Sequence, residues 1–427
     1  MTIETRESRF GDRYDVIRHP SGLTIYVYPK EGWNSTYAVF GTDYGSVDVK
    51  YRRSDSEKPE TIPAGTAHFL EHKLFESEDQ DAFARFAALG ASANAYTSFE
   101  NTSYLFSCTE NVYESLEVLL DFVQSPYFTK ESVEKEFGII GQEIDMYEDD
   151  PQWRVMFNLL GALYHTHPIR VDIAGTQESI REITPECLHR CYDTFYNLNH
   201  MVLSVAGCVE TQKVLDVCDR ILRPNPPVTV QRLFDEEPRH VVRERVEQPM
   251  SVAIPLFQLG FKCDSALKKD EKLSAAADVL LEILASDASV LFRKMSDAGV
   301  ISDSSFGYEF FEGNGFAMVL FSGESNDPDA ACTMILEEIE RMRREGISAE
   351  DFERARRSVY GSNISAFNSV ESIATSLMMF SFKEYELFRY IDAVAALTLE
   401  DVTDCMQQIL DPAHRAVSVI CPITDEE

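Results

Sequence analysis

At 427 residues the chain exceeds a single typical core and fits two domains near the upper end of the usual size range. An apolar fraction of 44% and a charged fraction of 26% are globular proportions, and no uninterrupted apolar run is long enough to form a membrane-spanning helix. The formal net charge of −33 repels phosphate backbones and anionic lipid surfaces, which argues against nucleic acid or membrane as partners.

The first residues, MTIETRESRFGDRYD, alternate charges and lack the apolar core of a secretory signal. Nine cysteines without any Cys-x-x-Cys pairing argue against a disulfide framework and against a thiolate metal site. A reducing cytoplasm is the expected location.

In chain order, Leu23 to Tyr28 and Thr36 to Thr42 are rich in β-branched and aromatic residues, with Pro29 to Asn34 as the turn of an expected hairpin. A helix follows around His68, then another from Asp81 to Leu89 stopped by Gly90. Strand character runs from Ala95 to Cys108, and Val112 to Val123 and Lys130 to Glu148 have helical spacing.

The second half repeats the order. Ser251 to Phe261 reads as a strand, Ala275 to Leu284 as a helix, Phe316 to Ser322 as a strand and Asp327 to Glu345 as a long helix. Phe128 to Glu134 and Ile347 to Glu353 are matching capped helix starts. Ile183-Thr184-Pro185-Glu186 leads by a helix to the strand Met201 to Ala206, as Leu397-Thr398-Leu399-Glu400 leads to Ala416 to Ile420. Between the halves, Arg223 to His240 holds four prolines and reads as a linker. The expectation is an α+β fold of two homologous domains, residues 1–222 and 241–427, each an antiparallel sheet packed with helices.

His68-Phe69-Leu70-Glu71-His72 stands among good helix formers. Residues four apart share a helix face, so His68 and His72 can present two imidazoles to one ion with Glu71 beside them. A catalytic zinc takes three protein ligands and keeps one position open, which leaves one ligand to a carboxylate elsewhere. The helix Lys130 to Glu148 offers Glu131, Glu134, Glu136, Glu143, Asp145 and Glu148, and spacing alone does not choose among them.

The inverted His-x-x-Glu-His motif, followed about 70 residues later by Glu136 and Glu143 in a Glu-x6-Glu pattern, resembles the family of pitrilysin, insulin-degrading enzyme and the mitochondrial processing peptidase. The resemblance implies that Glu143 completes a site for one zinc ion per chain and that Glu136 supports catalysis from behind the ligands. It implies a zinc endopeptidase of short unfolded peptides, in which Glu71 takes a proton from the attacking water and returns it to the leaving amine. Gly90 to Thr97, with Tyr104 after it, resembles the family's edge strand, which makes Asn94, Ala95, Tyr96 and Thr97 the substrate-binding residues. His167-Pro168 and Gly175 resemble the loop downstream of the ligand helix.

One segment departs from the family. Active members carry an arginine and a tyrosine, seven apart, that hold the substrate carbonyl. The corresponding stretch, Leu291 to Ser302, is one residue short and places Ser296 at the arginine and Ile301 or Ser302 at the tyrosine. The resemblance therefore implies a heterodimer with a paralogous, zinc-less subunit that supplies the pair, with a homodimer as the alternative. Two further readings stand beside it: a catalytically silent zinc-binding assembly subunit, and a leader-processing peptidase for a ribosomally made peptide. His165 and His167 read as loop histidines, Glu148-Asp149-Asp150 as a solvated helix end, and Arg354, Arg356 and Arg357 as a helix surface. Trp153 reads equally as a core anchor or a cavity wall.

Overall fold

The computed structural model describes residues 1–76, 81–264, 267, 270–302 and 305–423. Its strands are β1 (Thr2–Glu7), β2 (Arg13–Arg18), β3 (Thr24–Pro29), β4 (Thr36–Thr42), β5 (Lys50–Arg53), β6 (Glu60–Thr61), β7 (Ser92–Thr97), β8 (Thr102–Cys108), β9 (Met201–Gly207) and β10 (Val230–Arg232). They continue with β11 (Arg245–Met250), β12 (Leu256–Lys262), β13 (Gly307–Gly313), β14 (Phe316–Glu324) and β15 (Arg415–Pro422). The helices begin with α1 (Thr66–Phe75), α2 (Ala82–Ala88), α3 (Val112–Val123), α4 (Lys130–Glu148), α5 (Pro151–Leu163), α6 (Gln177–Ile180), α7 (Pro185–Phe195) and α8 (Thr211–Ile221). After them come α9 (Glu271–Ala285), α10 (Val290–Asp297), α11 (Pro328–Glu345), α12 (Ala349–Ser365), α13 (Val370–Phe382), α14 (Leu387–Ala396) and α15 (Leu399–Ile409).

Two compact units form, and neither is one continuous stretch of chain. The first comprises Met1–Ile144, Asp172–Leu233 and Ser365–Phe388; the second comprises Asp145–Val171, Phe234–Ile364 and Arg389–Glu427. The first holds a seven-stranded sheet in the order β1-β2-β3-β9-β4-β8-β7, and the second a five-stranded sheet in the order β11-β15-β12-β14-β13. The last five strands of the first sheet and all five of the second have the same order and directions. β3 runs parallel to β9 as β11 does to β15, and the remaining neighbours in both are antiparallel. The duplication legible in the sequence is thus repeated in topology, with the correction that each sheet contains one parallel pair.

The expected hairpin between β3 and β4 does not form, because β9 lies between them and pairs with both. The connection spans two strand spacings, about 10 Å, which its few residues cover easily. Both strands are buried along almost their whole length, as strands at the centre of a sheet are. The single strand expected from Ala95 to Cys108 is instead the hairpin β7–β8, turned at Ser98 to Asn101, where Asn101 N donates to Ser98 Oγ at 3.1 Å. Strand β1 gave no signal in the sequence because every one of its residues is exposed, so it has no apolar face to alternate.

The matched helix starts are capped as expected. Ser132 N donates to Thr129 Oγ1 at the head of α4, and Asp351 N donates to Ser348 Oγ at the head of α12. Residues 223–240 are more than a connector. β10 pairs with β5, and Arg232 donates to the buried Asp48 at 2.5 Å and to Asp43 at 3.1 Å, which anchors the end of this stretch in the first unit.

In the second unit, Glu237 accepts the backbone N–H groups of His165, Thr166 and His167 at 2.9, 2.7 and 2.9 Å and pairs with the Lys262 ammonium at 2.5 Å. Burial opposes its charge, but these donors outweigh burial and hold its pKa at about 2, against 4.5 for a free glutamate. A depressed carboxylate pKa contributes stability above the unfolded value and loses it as pH falls toward the folded one. Glu237→Gln should therefore lower the unfolding midpoint at neutral pH by an amount worth on the order of 2–3 kcal/mol. The deficit should narrow as pH falls below 4.5 toward 2. A deficit independent of pH would assign it to lost packing instead.

Candidate metal centre

Helix α1 begins where Gly65 adopts φ +86, and Gly175 at φ +81 packs its backbone against Ala64. A Cβ on Gly175 would lie 2.6 Å from the Ala64 carbonyl oxygen, so glycine is required for the downstream loop to approach the start of α1. Ser179 Oγ donates to the same carbonyl at 2.9 Å. Farther along, Phe69 meets Phe137 of α4 edge to face, and Phe75 packs on Phe122 of α3 and Tyr104 of β8. These contacts fix α1 against α4, with its histidine face turned to the Glu136 and Glu143 side of α4. On α4, Gly141 lets Gln177 approach and donate to its carbonyl at 2.8 Å.

His68 and His72 lie one turn apart with ring centroids separated by 4.6 Å. Nε2 of His68 stands 3.6 Å from Glu143 Oε1, and Nε2 of His72 stands 3.4 Å from Glu143 Oε2. Among the described residues these three form a group whose ligand atoms all fall within 4.8 Å of one another. Two ligands bound about 2.1 Å from a tetrahedral zinc stand about 3.4 Å apart, so the spacing fits that ion and two imidazoles with a carboxylate are its usual donors. Glu131, Glu134, Asp145 and Glu148, which spacing alone left open, are not in the group.

Behind the cradle, His72 Nδ1 is 3.0 Å from Glu136 Oε1, and Glu136 is 4% exposed. Burial works against a charge on His72, yet Glu136 and Glu143 outweigh it and raise its pKa to about 10. Burial likewise opposes the Glu136 charge, and His72 and Lys73 reverse that effect and lower its pKa. Among the described residues, His68 Nδ1 is buried without a hydrogen-bond partner.

Glu71 sits at the rim, where Thr97 Oγ1 donates to its Oε2 at 2.7 Å. Thr97 ends β7, which among the described residues pairs with β8 alone and is one edge of its sheet. Asn94 on that edge is exposed, and Ala95, Tyr96 and Thr97 are half-buried. The side-chain contact from Thr97 to Glu71 and the Lys73 contacts were not anticipated from sequence. Lys73, a charge on an otherwise apolar helix face, was the available signal for the second.

The remaining candidates take structural places. His167 is buried with Nε2 2.9 Å from the Asn314 carbonyl, and burial pushes its pKa down to about 4. Asp150 caps α5 by accepting from Gln152 N and Trp153 N, as the solvated-end reading expects. Trp153 stacks on Tyr147 at 4.5 Å. Arg354, Arg356 and Arg357 pair with Asp351 and Glu353 along α12. Ser296 lies in the last turn of α10, Ile301 bridges to Ser325, and Ser302 N donates to Glu324 O. The next tyrosine, Tyr308, donates its hydroxyl to Glu282 at 2.9 Å.

The family model described as insulinase (peptidase family M16) matches residues 55–177, and the model described as peptidase M16 inactive domain matches residues 182–359. An uncharacterized zinc protease of Bacillus subtilis (strain 168), YmfH, is 39% identical over 409 residues, covering 94% of this chain and 95% of its own length. A relative from Arabidopsis thaliana named probable mitochondrial-processing peptidase subunit beta is 26% identical over 385 residues, covering 84% of this chain and 71% of its own. The crystal structure of an M16-like peptidase from Alicyclobacillus acidocaldarius matches with a TM-score of 0.91 at 35% identity, over 99% of each chain. The segment that builds the cradle falls inside the insulinase match, and with near full-length likeness to a zinc protease the chain belongs to peptidase family M16.

Proposed function

We propose that this chain is the zinc-bearing subunit of a two-chain endopeptidase that hydrolyses short unfolded peptides in the cytoplasm. The observation that carries the reading is the convergence of His68, His72 and Glu143 beside a free-edged strand, with Glu71 tethered between them. His68, His72 and Glu143 would hold the ion, which when bound supplies a Lewis acid for the scissile carbonyl and acidifies water.

The chain's own residues do the rest. Backbone groups of Asn94 to Thr97 take the substrate as the next strand, so recognition rests on main-chain hydrogen bonds more than on side chains. Thr97 occupies one oxygen of Glu71 and leaves Oε1 to accept the proton of the attacking water and carry it to the leaving nitrogen. Glu136, bonded to His72 Nδ1, keeps the ring tautomer in which Nε2 faces Glu143. The shared strand order also supports residues 1–222 and 241–427 as the two copies of a duplication joined by 223–240, with the second copy contributing no catalytic group.

The test is hydrolysis of a mixed set of short unfolded peptides by the chain with its paralogous subunit. Cleavage should fall to background after dialysis against a chelator and return with one equivalent of zinc. The altered stretch at 291–302, within the match to the inactive-domain model, favours a second reading, a zinc-binding assembly subunit without turnover. Stoichiometric zinc with no cleavage under any of these conditions selects it.

A further inference from the structure

We infer that Lys73 is the residue that positions the metal cradle from behind, acting on His72 through Glu136. The inference rests on the zinc reading above. Lys73 is wholly buried, and burying an ammonium is expensive unless it is paired and hydrogen-bonded. Its partners among the described residues lie around the junction of α1 and α4: the Glu76 carboxylate, the Ser132 carbonyl at 3.2 Å and Glu136 Oε2 at 3.6 Å.

Glu136 thus has its two oxygens committed to different groups, Oε1 to His72 and Oε2 to Lys73. The chain Lys73–Glu136–His72 fixes the ring of one ligand. Among the described residues no comparable support reaches the other, since His68 Nδ1 has no hydrogen-bond partner there. Orientation of the cradle therefore depends on His72, and the stability of a carboxylate buried behind His72 depends on Lys73. Without the ammonium, the buried Glu136 loses one of the two groups that compensate its charge, and its remaining bond to His72 Nδ1 no longer has an anchor behind it.

The experiment measures zinc affinity of the full-length chain by competition with a chromophoric chelator, for the native protein, Lys73→Met, Glu136→Gln and the double variant. Loss of an outer partner of a metal ligand costs roughly 10–100-fold in affinity, and Lys73→Met should lose that much. Because Lys73 acts through Glu136, the double variant should bind within about threefold of Glu136→Gln alone, a non-additive result. The cobalt(II) form of Lys73→Met should also show altered ligand-field bands.

Equal affinity of Lys73→Met and the native chain overturns the inference, as do additive losses in the double variant. Failure of the native chain to bind zinc stoichiometrically overturns the metal reading itself, and this inference with it. Should Lys73→Met lose its folded circular dichroism, Lys73→Gln, which keeps a hydrogen-bonding end, replaces it. Loss of folding in both makes Lys73 a structural ion pair and rejects the positioning role.

Discussion

Glu71→Gln should reduce peptide hydrolysis by roughly 10²–10⁴-fold while leaving zinc bound one to one. The two halves of this expectation follow from where Glu71 stands. It lies outside the His68, His72 and Glu143 group, so replacing its carboxylate by an amide removes no ligand. It is held at one oxygen by Thr97, so the isosteric amide can keep the rotamer while losing the ability to accept a proton. Turnover of a quenched fluorescent peptide and zinc content by colorimetric titration check both halves together. Thr97→Val is the milder companion: it removes the tether and leaves the base, and should lower kcat on the order of tenfold, the worth of one hydrogen bond to a charged group. Thr97→Ser should restore it. A Glu71→Gln protein that still cleaves at the native rate would remove Glu71 from the chemistry and the proposed mechanism with it.

The sequence exposed the duplication because the cues that set it are local. Thr129 with Ser132, Ser348 with Asp351, and the caps Thr184 and Thr398 act within one turn of their helices, and the structure has each of them in place. Pairing between strands is not local. Nothing within Leu23 to Thr42 records that β9, some 170 residues later, takes the slot between β3 and β4. Nor does the sequence show that the helix α13 belongs to the first compact unit. At the cradle, the pair His68 and His72 was legible because helical spacing alone puts them on one face. The choice of Glu143 among six acids came from the Glu-x6-Glu resemblance, and the structure brings that residue to Nε2 of both histidines, with Glu136 behind it at His72 Nδ1. The contacts of Lys73 and Thr97 were illegible because each depends on which strand or helix lies opposite, a fact of packing rather than of spacing.

Purified alone, the chain should bind zinc and cleave peptides slowly, and a paralogous subunit carrying the family's arginine and tyrosine should raise the rate by about 10²–10³-fold, the usual worth of one or two groups that stabilise a developing oxyanion. The argument is one of inventory. The residues proposed for proton transfer and metal binding lie in the first unit, but in the second the stretch expected to hold the substrate carbonyl presents Ser296 in the last turn of α10, and Ile301 and Ser302 engaged with Ser325 and Glu324. Tyr308 is committed to Glu282, and Arg293 reaches back to the Ser289 carbonyl at 3.4 Å. A homodimer brings a second copy of the same stretch and no arginine and tyrosine pair, so doubling the chain does not repair the deficit. Initial rates on a short unfolded peptide, with the paralogue titrated against a fixed concentration of this chain, give the answer. A rate that climbs and saturates at equimolar paralogue establishes divided labour, and mutating the paralogue's arginine should return the mixture to the rate of the chain alone. A chain already fully active without it would mean that carbonyl stabilisation comes from another group of this protein.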